Sequence, residues 1–97
     1  MKKVGEKVTI LDFARYKEKG EKIVMITAYD ALFARIFDDA GVESILVGDS
    51  LGQVVLGLPS TLGVTMEDME RHTGAAARGT GRAFLIADMP FLSFQTG

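Results

Sequence analysis

The chain has 97 residues, 47% of them apolar and 25% charged, the profile of a soluble globular protein and not of a disordered or fibrous one. Its 11 Lys and Arg against 13 Asp and Glu leave a net charge of -2, which supplies no basic surface for a phosphate backbone and makes nucleic acid a poor partner. Cysteine is absent, which excludes disulfides and thiolate metal sites and fits a reducing compartment, the cytoplasm by default.

Met1-Lys2-Lys3 carries positive charge, but Gly5, Glu6 and Lys7 interrupt the residues that follow, so no apolar signal core forms and no export is expected. Nothing reaches membrane-spanning length. Thr9 is placed to cap a helix over Ile10–Lys19, with Ile10, Phe13, Ala14 and Tyr16 at three- and four-residue spacing and Gly20 as its stop. Between Lys22 and Thr27 the run Ile23-Val24-Met25-Ile26 is continuously apolar, as expected of a strand buried on both faces in a parallel sheet. Asp30 caps a second helical pattern that ends at Gly41, and Ser44-Ile45-Leu46-Val47 reads as a second buried strand. Residues 48–63, punctuated by Gly48, Gly52, Gly57, Pro59 and Gly63, read as a long loop with functional potential. Thr65 and Asp68 form a capping-box pattern that starts a helix running from 66 to about 78, broken by Gly79-Thr80-Gly81. A third strand, Ala83-Phe84-Leu85-Ile86-Ala87, leads into Asp88-Met89-Pro90 and a further loop.

Apolar strands joined by crossover helices form a parallel sheet, so the fold class is α/β. Three strands alone leave two unpaired edges and half-covered helices, so the unit is expected to be part of something larger. Eight such units would need roughly 250 residues, the usual size of a (β/α)8 barrel.

In open α/β sheets and in barrels the carboxyl ends of the strands carry the site. Here they read Thr27-Ala28-Tyr29-Asp30, Gly48-Asp49-Ser50 and Ala87-Asp88-Met89-Pro90, each with an acid. With axes ~4.8 Å apart in neighbouring strands, Asp49 and Asp88, taken to follow their strands at the same step, would bring two carboxylates almost into contact. A hard dication such as Mg2+ resolves that repulsion, since oxygen ligands suit it; alternatively each Asp caps the turn that follows its strand. Ser50 either donates to a substrate carboxylate or satisfies a backbone group beside Gly48. Thr27 and Tyr29 have the same choice between ligand and rim packing, and Asp30 is the helix cap.

His72 stands alone inside the third helix beside Arg71, and a single histidine without a second four residues away reads as structural. Glu67, Asp68 and Glu70 read as capping and dipole compensation. Gly48-x-x-x-Gly52 and Gly79-Thr80-Gly81 match neither a dinucleotide fingerprint nor a phosphate loop. The five Met residues are expected mostly to fill the core.

The blocks Ile26-Thr27-Ala28-Tyr29-Asp30, Val47-Gly48-Asp49-Ser50-Leu51-Gly52 and Ala87-Asp88-Met89-Pro90-Phe91, in that order, resemble those of the ketopantoate hydroxymethyltransferases. Residues 60–66, Arg71-His72-Thr73 and Ala77-Arg78-Gly79 resemble that family's linking segments, so the resemblance covers almost the whole chain. It implies a (β/α)8 TIM barrel of the phosphoenolpyruvate/pyruvate type, with residues 1–97 forming its amino-terminal part, in a cytoplasmic homo-oligomer, a decamer by family resemblance. It also implies hydroxymethyl transfer from methylene-tetrahydrofolate to 3-methyl-2-oxobutanoate, giving 2-dehydropantoate on the way to pantothenate and coenzyme A. Asp49 and Asp88 match metal-binding acids for Mg2+, and Asp49, Ser50 and Asp88 match residues at the oxo acid. The family's Lys at the oxo acid, a further metal-site Glu and the Glu proposed as base match nothing up to Gly97, so no catalytic base is expected within these residues. Leu92 and Phe94 depart from the smaller or more polar residues common there, which touches local loop shape.

Two other readings compete. An enolate-forming barrel of the phosphoenolpyruvate mutase or isocitrate lyase type would share the metal chemistry. A non-catalytic barrel fragment, whose strand edges pair with another chain, is the reading expected if 97 residues are the whole molecule, and it would be inactive.

Overall fold

The computed structural model describes residues 6–90. The positive segment Met1-Lys2-Lys3 and the loop with Phe91, Leu92 and Phe94 lie outside the described residues. Helix α1 (Ile10–Lys19) is followed by β1 (Met25–Thr27), α2 (Ala31–Ala40), β2 (Ser44–Val47), a short α3 (Leu51–Val54), a 3-10 turn (Thr61–Gly63), α4 (Met66–Gly79) and β3 (Phe84–Ala87). The strands form one parallel sheet in the order β1-β2-β3, with Ile26, Ile45 and Leu85 in one row and Thr27, Leu46 and Ile86 in the next.

Local chemistry explains where most helices begin and end. The Asp30 carboxylate accepts from the Phe33 amide at 2.8 Å and caps α2. At α4, Thr65 Oγ1 accepts from the Asp68 amide and Asp68 Oδ2 accepts from the Thr65 amide, both at 3.0 Å, so two first-turn donors are satisfied reciprocally. Asp12 Oδ2 takes the Thr9 amide at 2.7 Å at the start of α1. Gly20 and Gly41, with φ of 70° and 93°, end α1 and α2 in the left-handed region that glycine occupies without a Cβ penalty.

The row Ile26, Ile45 and Leu85 belongs to the core with Val47, Ala34, Leu51, Met69 and Ala76, so one sheet face packs on α2 and α4. The other face is covered at its amino end, where Phe13 of α1 meets Phe84 edge-on, ring centroids 5.2 Å apart. The Val8 amide also donates to the Arg82 carbonyl there, at 2.8 Å. Asp38, near the end of α2, accepts from the backbone amides of Gly81, Arg82 and Ala83 at 3.1, 3.0 and 2.7 Å. It thereby anchors the turn that delivers β3.

Several expectations need correction. β1 is three residues long and not buried on both faces: Met25 is 54% exposed, and Val24 just before it 50%. It is an edge strand among the described residues, and only the central β2 is enclosed on both sides. The segment 48–63 is not all loop, because Leu51 is wholly buried and anchors α3. Helix α4 does end at Gly79, with Thr80 as its extended C-cap, as Gly79-Thr80-Gly81 implied; Gly79 in addition lies against the Ala31 carbonyl, so its lack of a Cβ permits the close approach of α2 and α4. Of the described methionines only Met69 is buried, while Met25, Met66 and Met89 are exposed. Among the described residues no helix is long and apolar enough to cross a membrane.

Candidate functional site

The carboxyl ends of the three strands lie side by side, and two hydrogen bonds extend the ladder past them. The Ala28 amide donates to Leu46 O at 3.1 Å, and the Asp88 amide to Val47 O at 3.0 Å. Val47 pairs with Ala87, so the step after β3 that holds Asp88 lies opposite Gly48, and Asp49 comes one residue later. The expectation of equal steps is therefore off by one. Extended residues one step apart point to opposite faces, but the chain leaves the extended conformation here: Ser50 is already helical at φ -56°, ψ -13°.

That turn brings the Asp49 amide to Asp88 Oδ2 at 3.1 Å. The contact joining the two acids is thus backbone amide to carboxylate, which fixes the Asp88 side chain over the end of β2. A Cβ on Gly48 would meet Ser50 Oγ at 3.1 Å and Asp88 Oδ2 at 3.4 Å, so the serine hydroxyl and the aspartate oxygen stand together over one glycine. A side chain at position 48 would push one of them away.

Ser50 does not cap α3 with its side chain. Its hydroxyl lies 2.8 Å from the Tyr29 hydroxyl, a partner that neither of its sequence readings included. His72, read as structural, has Nδ1 2.8 Å from the Tyr29 carbonyl. A carbonyl can only accept, so Nδ1 carries the proton and the ring pins the backbone of Tyr29 from α4. Tyr29 and Ser50 each follow an adjacent parallel strand within three residues, which is the only sequence signal for the pair, and it becomes legible once the strand order is known.

Two open clefts adjoin this rim. One of about 340 Å³ runs between the end of β1 and α3, with Tyr29, Phe33, Phe37, Val54 and Val55 in its walls. The other, about 310 Å³, lies between α4 and the end of β3 and takes in Asp88, Met69 and Met89. Thr27 and Asp30 line the first cleft, Asp30 while capping α2. Among the described residues no three His, Cys, Asp or Glu side chains converge on one point. The oxygen donors present, Asp49, Asp88 and the Ser50 hydroxyl, are of the kind a hard dication accepts, with the rest of its shell from water, substrate or other residues.

The ketopantoate hydroxymethyltransferase family model matches residues 7–97. Among curated proteins, the chain is 63% identical over 90 residues to the 3-methyl-2-oxobutanoate hydroxymethyltransferase of Hyperthermus butylicus, covering 93% of this chain and 31% of that protein. The enzyme of the same name from Pyrobaculum islandicum is 63% identical over 89 residues, 92% of this chain and 33% of that protein. The Acetivibrio thermocellus protein, named likewise, is 56% identical over 94 residues, 97% of this chain and 33% of its own length. The chain spans about a third of the length of the curated relatives it matches.

Proposed function

The chain belongs to the ketopantoate hydroxymethyltransferase family, and from that premise we propose that it forms the amino-terminal part of a (β/α)8 barrel that transfers a hydroxymethyl group to 3-methyl-2-oxobutanoate. The donor is methylene-tetrahydrofolate, the product is 2-dehydropantoate, and the working form is a homo-oligomer. The observation that carries the reading is the cluster over Gly48, where Ser50 Oγ and Asp88 Oδ2 stand together and the Asp49 amide holds the second.

The reaction removes a proton from the carbon beside a ketone, and the resulting enolate forms a C–C bond to the donor's methylene carbon. Both bonds from that carbon to the folate nitrogens break, water supplies the hydroxyl oxygen, and tetrahydrofolate leaves. Asp49 and Asp88 would hold Mg2+, which when bound supplies Lewis-acid stabilisation of negative charge on the oxo acid's oxygens. Asp88 is suited to this because the Asp49 amide orients one of its oxygens and leaves the other unengaged by that bond. Ser50, beside it, donates its hydroxyl proton to the oxo acid's carboxylate and fixes which way the substrate lies. Among the described residues β1 and β3 are the edge strands of the sheet, and these edges with the exposed Met25 fit pairing with further strands of a barrel. The base that takes the proton is expected beyond Gly97.

The test is turnover of 3-methyl-2-oxobutanoate with methylene-tetrahydrofolate by the protein as the cell makes it, with and without Mg2+. Asp49→Asn and Asp88→Asn should each lower metal-dependent turnover by orders of magnitude. Near-normal activity of either variant, or full activity in chelator, would overturn the metal assignment.

A further inference from the structure

We propose that Tyr29 is a positioning residue for Ser50: its phenol donates to Ser50 Oγ and leaves the serine's own proton free for an anionic substrate oxygen. The inference rests on the reading of Ser50 as a ligand of the oxo acid's carboxylate. The two hydroxyls are 2.8 Å apart and each is half-buried. Either could donate in principle. A phenol is far more acidic than an aliphatic alcohol and is the better donor and poorer acceptor, so the favoured arrangement has the proton between them on Tyr29.

An accepting Ser50 keeps its own proton, and of the three staggered positions about its Cβ–Oγ bond the one facing Tyr29 is taken, which leaves two in which to send it. The choice matters because Ser50 Oγ shares the space over Gly48 with Asp88 Oδ2. A free serine rotor beside an anion would turn its proton toward that anion, whereas a serine already accepting from Tyr29 has fewer rotamers open to it. The phenol is itself held. The Tyr29 carbonyl accepts from His72 Nδ1 at 2.8 Å, so α4 fixes the backbone that carries the ring, and the ring fixes the serine.

The experiment is a double-mutant cycle in the protein as the cell makes it, reading KM for 3-methyl-2-oxobutanoate and kcat separately. Tyr29→Phe keeps the ring and its packing and removes only the donor. It should raise KM about fivefold, the loss of roughly one hydrogen bond's worth of binding, with a smaller change in kcat. Ser50→Ala should raise KM further, and Tyr29→Phe added to Ser50→Ala should change KM by less than about twofold, because the serine through which the phenol acts is gone. If Tyr29→Phe raises KM by the same factor in both backgrounds, or leaves KM at the wild-type value, the positioning role is wrong. If Ser50→Ala leaves KM unchanged, Ser50 is not a substrate ligand and the inference falls with that assignment. Absence of turnover in the wild-type protein would instead sink the proposed function.

Discussion

The Asp49 backbone amide donates to Asp88 Oδ2 across 3.1 Å, tying the end of β2 to the end of β3 through one side chain. The bond has two separable parts, an acceptor oxygen and a negative charge. Asp88→Asn keeps an oxygen that can accept and removes the charge, whereas Asp88→Ala removes both. In urea denaturation the Asn variant should stay close to wild type and the Ala variant should lose up to about 1 kcal/mol, a modest figure because the group is exposed. Both should lose metal-dependent turnover. Equal stabilities for Asn and Ala would show that the amide contact contributes nothing to the rim.

Asp38 acts at the other end of the sheet. An acid near the carboxyl end of a helix opposes the helix dipole at a cost of about 0.3–1 kcal/mol, yet its carboxylate accepts from three backbone amides in a row. Hydrogen bonds to a charged group are each worth about 1.5–3 kcal/mol, so the bonds outweigh the dipole. Asp38→Ala would strand the amides of the buried residues Arg82 and Ala83 and should destabilise the protein by about 2–4 kcal/mol, read as a lower denaturation midpoint. Asp38→Asn should cost less. A neutral Ala variant would mean that water replaces the carboxylate without penalty.

Asp68 gives a dependence on pH. The Thr65 backbone amide, then the Thr65 hydroxyl, and more weakly the charges of His72 and Arg71, hold its carboxyl below the usual aspartate value. A folded pKa depressed in this way stabilises the native state at pH values above the unfolded pKa of about 4. That contribution fades as pH falls from there through the lower folded value. Asp68→Asn should therefore melt below wild type at pH 7 by circular dichroism, and the gap should narrow by pH 3. A gap of constant size would indicate that the charge is irrelevant to the start of α4.

Much of this layout was legible in advance because its signals are local. Asp30 with Gly41 and Thr65 with Asp68 mark helix ends by contacts only three residues away or by a single backbone conformation. β2 was legible because Ile45 and Val47 are fully buried, as its apolar run requires. The same reasoning failed for β1: an apolar run states that a strand can be buried, not that neighbours within these residues cover it. The site divided along the same line. Its aspartates and serine stand out as polar residues at strand ends, but the one-residue offset of Asp49 from Asp88 depends on register. The Tyr29 to Ser50 bond spans 21 positions and the Asp38 bonds 43 to 45, distances over which no spacing rule operates.

Helix α4 contains two glycines for which replacement by alanine should have opposite effects. Alanine is preferred over glycine in a helix interior by about 1 kcal/mol, so the sign depends on what a Cβ would meet. At Gly74 its nearest neighbour is the mobile tip of Arg78, Nη1 at 3.5 Å, an ordinary contact. At Gly79 it would collide with the Ala31 carbonyl oxygen and lie 3.0 Å from Ala31 Cα, and these are backbone atoms at the start of α2 that cannot rotate aside. Forcing atoms into a packed contact costs about 1–3 kcal/mol, more than the last helical residue gains in propensity. Gly74→Ala should therefore raise the melting temperature and Gly79→Ala lower it, measured side by side by calorimetry. If both variants gain stability, α2 and α4 do not approach as closely as the Gly79 contact requires.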